Sequence, residues 1–166
     1  MKRNMKQWVA ETIANPVKKG VPVLSFPAVQ LMDITVRDLI SSSDLQAKGM
    51  KMVADKVNSG ASVSLMDLSV EAECFGSTIR VTDDEVPTVI GAVVSDEDAA
   101  DSLVVPEVGV CRTGLYIEAI AKASEMITDR PVLAGVIGPF SLAGRLMDVG
   151  EAMAYCYEEP DMVHTV

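Results

Sequence analysis

Ala61-Ser62-Val63-Ser64-Leu65-Met66-Asp67 reads as a β-strand, and its last residue is a carboxylate placed where strand gives way to loop. Upstream of it, Ser43-Asp44 is an N-cap signal leading into Met50, Val53, Ala54 and Val57 at helical spacing, with Gly60 expected as the closing cap. Before that helix, Val21-Pro22-Val23-Leu24-Ser25-Phe26 is an apolar run of strand length bounded by breakers. A leading helix over Lys2 to Asn15 puts Met5, Trp8, Val9 and Ile13 near one face, and Pro16 forbids its continuation.

Downstream of Asp67 the stretch Gly76 to Val94 is an irregular excursion with β character, at Thr78-Ile79-Arg80-Val81 and again over Val89 to Val94. Ser95-Asp96-Glu97-Asp98 resembles a capping box ahead of a short helix to Leu103. Tyr116, Ala119, Ile120, Ala123 and Ile127 predict a long helix over Thr113 to Thr128, closed by Asp129-Arg130-Pro131. Val132 to Ile137 reads as a third strand entering Gly138-Pro139-Phe140, where proline suits a first helical position, and Ser141 to Met147 continues as helix. From Glu159 a last helix starts and runs about two turns to Val166.

Short strands alternating with helices predict an α/β fold of parallel βα units in a single domain over residues 1–166. A (β/α)8 barrel needs about 250 residues, so a chain of 166 holds three or four of its units, the N-terminal half of a TIM barrel. Two raw sheet edges then call for oligomerisation or a complementary half.

Apolar residues make up 49% of the chain, enough for one core, and ten methionines fall mostly at helical core positions such as Met50, Met126 and Met147. Fourteen Lys and Arg against 24 Asp and Glu give a net charge of −10, which argues against nucleic acid or an anionic membrane surface as partner. Without a signal-peptide pattern or a membrane-length apolar run, the sequence predicts a cytoplasmic protein. Cys74, Cys111 and Cys156 are odd in number and widely spaced, so neither a disulfide framework nor a local zinc knuckle is expected. His164 is the single histidine, and no metal is expected in this chain.

Asp67, with Glu71 and Glu73 after it, is the densest carboxylate set at the mouth of a predicted strand. In a parallel α/β fold ligands bind there, so Asp67 could hold a substrate group or act in proton transfer; alternatively it caps the following turn through its own side chain. Glu71 and Glu73 lie two apart and cannot share a helix face, so at most one of them is expected to join Asp67. The turn at Gly138, Pro139, Phe140 and Ser141 offers backbone N–H groups to an anion or is a tight connection, and Arg145 is its nearest cation or the partner of a surface acid.

Met66 to Gly76, Glu85-Val86-Pro87, Val105-Pro106-Glu107 and Ile137 to Ala143 occur in an order that resembles the uroporphyrinogen decarboxylase superfamily, in its branch of corrinoid-protein-dependent methyltransferases such as those acting on coenzyme M. The resemblance spans nearly all of the chain and only the N-terminal half of such proteins. It implies a TIM barrel with its site at the carboxyl ends of the strands. It also implies transfer of a methyl group from methylcobalamin on a corrinoid protein to a small thiol, with Asp67 as the catalytic position and Glu71 and the Gly138 to Ser141 turn on the pocket wall. In such enzymes zinc is held by a His-x-Cys pair and a later Cys, which the resemblance puts in the C-terminal half. By itself the chain is then expected to be inactive. In the decarboxylases the residue at the position of Asp67 holds pyrrole nitrogens, but their arginine-rich segment has no counterpart between Phe26 and Arg37, and their substrate-site tyrosine falls near Arg145. Decarboxylation is the alternative activity, and a non-catalytic half-barrel module the alternative role.

Overall fold

The computed structural model describes residues 3–166. Lys2, at the expected start of the leading helix, lies outside them. The elements in chain order are α1 (Met5–Ala14), α2 (Pro27–Met32), α3 (Val36–Ile40), α4 (Ser43–Lys56), β1 (Ser62–Val63), α5 (Val70–Cys74), β2 (Thr78–Arg80), β3 (Thr88–Ile90), α6 (Glu97–Asp101), α7 (Cys111–Met126), β4 (Val132–Leu133), α8 (Pro139–Met147), α9 (Val149–Glu158) and α10 (Pro160–Thr165). The class is α/β. No helix among the described residues is long and apolar enough to cross a membrane.

β1 and β4 pair in parallel, Ser62 opposite Val132 and Val63 opposite Leu133. Both strands are shorter than their apolar runs predict, because serine side chains take over from the ladder. Ser64 still donates its N–H to the Leu133 carbonyl, but its hydroxyl then accepts the Gly135 N–H at 2.9 Å, which turns the chain out of register. The expected strand over Val21 to Phe26 does not form. Pro22 has no N–H to give, and the segment is held at its two ends, by Gly60 N–H on the Gly20 carbonyl and by Met66 N–H on the Ser25 hydroxyl. β2 and β3 pair antiparallel, with Ile79 opposite Val89, so the irregular excursion contains a hairpin.

Helix starts follow side-chain capping. Ser42 caps α4 through the Leu45 N–H, Thr35 and Asp38 form a capping box on α3, and Asp96, one residue after the expected Ser95, caps α6 through the Ala99 N–H. α4 ends at Lys56, four residues before Gly60, which therefore does not cap it and lies instead against the Gly20 segment. At Asp148 a positive φ of 76° breaks the last helical stretch into α8 and α9, and its carboxylate caps α9 on the Gly150 N–H.

The core lies in three clusters. Ala47, Met50 and Ala54 of α4 meet Ala123 and Ile127 of α7. Leu39, Ile40, Val53 and Leu65 form a second cluster with α2, and Val94, Leu146, Met147 and Met162 a third beneath α8 to α10. Met50 and Met147 are buried as expected, but Met126, the last residue of α7, is 42% exposed. α1 buries none of its residues, so its apolar face does not serve the core.

Gly49 marks the closest approach in the helical layer, since a Cβ there would lie 2.7 Å from the Ala28 Cβ and 3.2 Å from the Met32 methyl. Helix propensity alone favours Gly49→Ala by about 1 kcal/mol, whereas overpacking costs roughly 1–3 kcal/mol. The variant is expected to unfold at lower urea concentration than the parent chain; an increased midpoint would show that α2 and α4 can separate freely.

Candidate active site

The strand-end carboxylate found in the sequence is the centre of a closed network. The Asp67 side chain is 0% exposed. Its Oδ1 accepts the Ser69 N–H at 3.0 Å and the Ser69 hydroxyl at 2.6 Å. Its Oδ2 accepts the Arg112 guanidinium at 2.6 Å and the Tyr116 hydroxyl at 3.0 Å. A carboxylate has about four lone-pair sites, and all are taken. Asp67 thus does cap its own turn, with one oxygen, while the other faces α7.

Arg112, which is not among the candidates the sequence offers, ties three segments together. Its Nε meets Glu73 at 2.5 Å, Nη1 meets Asp67, and Nη2 meets the Ser69 hydroxyl at 3.0 Å. Arg112 and Tyr116 are four residues apart on α7 and share a face, a spacing that could have paired them beforehand. α7 begins at Cys111, two residues before the expected Thr113, which brings Arg112 into its first turn. Burial works against the Arg112 charge, but the hydrogen bonds and charges of Asp67 and Glu73 outweigh it and push its pKa up. Burial, and then the Asp67 charge, push the Tyr116 phenol far above its ordinary value, so it stays protonated and donates.

Beside this network lies a cavity of about 400 Å³ between α5, α7 and the segment that follows β4. Leu65, Val70, Phe75, Ile117, Ile120 and Ile137 give it apolar walls, and Val105 and Val108 stand exposed at its rim. Its acidic lining groups are Asp67, Glu71 and Glu107, with no Lys, Arg or His among the lining residues. Glu71 and Glu73 diverge as their spacing requires. Glu73 turns to Arg112, and Glu71 faces the cavity, where Oε1 accepts the Ile137 N–H at 3.3 Å.

Gly138, Pro139, Phe140, Ser141 and Arg145 are placed beyond that wall. The lining runs from Ala134 to Ile137 and stops there; Gly138 is open on its Cβ side, and Phe140 is 64% exposed. Arg145 is half-buried on α8 and forms no ion pair among the described residues. Nor do three or more His, Cys, Asp or Glu side chains among them gather as a metal site; His164 sits on α10 and Cys156 on α9.

The uroporphyrinogen decarboxylase (URO-D) family model matches residues 21–166. The chain belongs to the URO-D family. Among solved structures, a methyltransferase from Methanosarcina mazei is similar over 98% of this chain with a TM-score of 0.78 and 22% identity. The URO-D chain spans 50% of the length of that methyltransferase. No curated protein matches it. The family match begins at Val21, so α1 precedes the part that the URO-D family defines, in keeping with its lack of buried residues.

Two outcomes follow from the network. Arg112→Leu leaves a buried carboxylate without its cation and is expected to cost roughly 3–5 kcal/mol of unfolding free energy, read from urea denaturation near neutral pH. Because the folded-state pKa of Tyr116 is raised, its contribution to stability is complete below the ordinary tyrosine value of 10.0 and declines as pH rises beyond it. Tyr116→Phe should flatten the loss of stability between about pH 9 and 11; an unchanged slope would show that the phenol ionises freely.

Proposed function

We propose that this chain is the N-terminal half of a (β/α)8 barrel that, once completed, moves a methyl group from methylcobalamin on a corrinoid protein to a small thiol. The observation that carries the reading is the apolar cavity beside the Asp67 network, with Glu71 on its wall and no cation among its lining residues. Tetrapyrrole decarboxylation requires cations for several substrate carboxylates, and this half-site offers acids instead. The similarity to a methyltransferase supports the same choice within the URO-D family.

In this reading Asp67 acts as a fixed anion that holds Tyr116 and Arg112 in place, and Glu71 is the carboxylate available to a ligand. Glu71 can accept a hydrogen bond from the thiol or orient it, while the apolar walls keep water from the reacting methyl group. Zinc, which would lower the pKa of the thiol, does not fit the described residues and is assigned to the complementary half. The exposed Val105 and Val108 and the outer edges of β1 and β4 are the surfaces that half, or a second copy of the chain, would cover.

The test is methyl transfer from methylcobalamin to 2-mercaptoethanol, followed by the change in corrinoid absorbance, with the chain alone and with the C-terminal half of a URO-D-family barrel supplied in trans. Turnover only in the mixture, lowered about tenfold or more by Glu71→Gln (at least about 1.4 kcal/mol), is expected. Porphyrinogen decarboxylation by the mixture without methyl transfer would overturn the reading, and a stoichiometric homodimer inactive in both assays would favour a non-catalytic assembly module.

A further inference from the structure

Glu73 and Arg112 are joined by an ion pair, and the residues next to them in sequence are both cysteines. Cys74 closes α5 and Cys111 opens α7, so the two thiols occupy the rung beside the Glu73–Arg112 pair. The Cys74 Sγ lies 3.4 Å from the Val70 carbonyl oxygen and 3.5 Å from that of Val110, whose peptide unit includes the backbone nitrogen of Cys111. Cys74 lines the cavity, and Cys111 is exposed to solvent. The Cys111 backbone has a positive φ of 49°, which turns this first residue of the helix sharply out of the preceding loop.

We propose that Cys74 and Cys111 form a dithiol modification site that closes to an intramolecular disulfide by exchange with a low-molecular-weight disulfide. The exposed Cys111 thiolate attacks one sulfur of the reagent, giving a mixed disulfide and releasing one thiolate. Cys74, as thiolate, then attacks the Cys111 sulfur, forming the Cys74–Cys111 bond and releasing the second. The two protons lost from the cysteines go to the two departing thiolates; the protein is oxidised by two electrons and the reagent reduced by two. Burial, together with the neighbouring Cys111 thiol, holds the Cys74 pKa up, so Cys74 suits the second step, where its partner sulfur is already beside it. The bond would cross-link the start of α7 to the end of α5 one residue from the pair that anchors Asp67. The site would thus couple the oxidation state of the surroundings to the rigidity of the cavity wall.

The experiment equilibrates the reduced chain with oxidised glutathione, quenches with iodoacetamide and reads the intact and peptide masses. The expected product has one alkylated thiol, Cys156, and a peptide cross-link between Cys74 and Cys111 that dithiothreitol reverses. Hydrogen exchange across Val70 to Cys74 should slow on oxidation. Cys111→Ser should leave Cys74 unmodified, and Cys156→Ser should leave the cross-link intact. Three alkylated thiols after oxidation, glutathione retained on Cys111, or a disulfide-linked dimer through Cys156 in place of the internal cross-link would each overturn the proposal.

Discussion

A carboxylate without solvent contact survives only where its charge is answered at every lone pair, and Asp67 imposes that demand on the rest of the chain. Ser69 answers from the loop after β1, and Arg112 and Tyr116 answer from α7, far along the sequence. Arg112 neutralises Asp67, and Glu73 of α5 occupies the remaining Nε of its fork, so the Asp67–Arg112–Glu73 group carries one net negative charge. Two helices and the segment after β1 are thus fixed by one charge balance. Removing any member leaves another buried group unsatisfied, so the arrangement is held by the cost of its alternatives more than by the strength of each contact.

The balance depends on α7 packing closely on α4. Its buried residues are Ala119 and Ala123, of which Ala123 packs with Ala47 and Ala54 of α4, and small side chains let helix axes approach. One to two turns nearer the N-terminus, the same face presents Tyr116 and Arg112 toward the segment after β1. Packing in the lower part of the helix therefore sets the reach of the polar groups in its first turns. The cavity sits above this contact, where the small residues give way to Ile117 and Ile120 and the neighbouring wall is Val136 and Ile137.

How much of this the sequence discloses depends on the range of the signal. The α/β class, α4, α7 and the divergence of Glu71 from Glu73 rest on local periodicity and spacing, and the structure agrees with each; β1, however, stops at Val63, so Asp67 lies in the segment after the strand and not at its last residue. Apolar patterning overstates the strand lengths because Ser64 and Ser25 replace backbone ladder bonds with side-chain bonds, which such patterning does not register. α2, α3 and α5 are five or six residues long and α9 is ten, and such short helices leave little periodicity to set them apart from connecting segments. Arg112 is hard to read for a different reason: its partners lie 39 to 45 residues away, and its i,i+4 spacing to Tyr116 is the one local sign of its role. The motif puts the wall at the Gly138 turn, whereas the lining stops at Ile137 and α8 begins beyond it.

The same network constrains what chemistry the site can do. With four donors on its oxygens, Asp67 has no lone pair left for a ligand, and any new partner must displace an existing one. The Arg112 bonds are charge-assisted and bring a second ion pair with them, so breaking them exposes three charges. The Ser69 bonds are local and hold the turn itself. Tyr116 contributes a single neutral donor at 3.0 Å and lines the cavity, which makes its hydroxyl the cheapest to exchange. A ligand that reached Asp67 would have to offer a hydrogen-bond donor in its place, whereas one that needed only an acceptor or an oriented anion would meet Glu71 first. The two carboxylates are thus unequal: one is committed to structure through a replaceable tyrosine, and the other stands open at the wall with a single weak backbone donor.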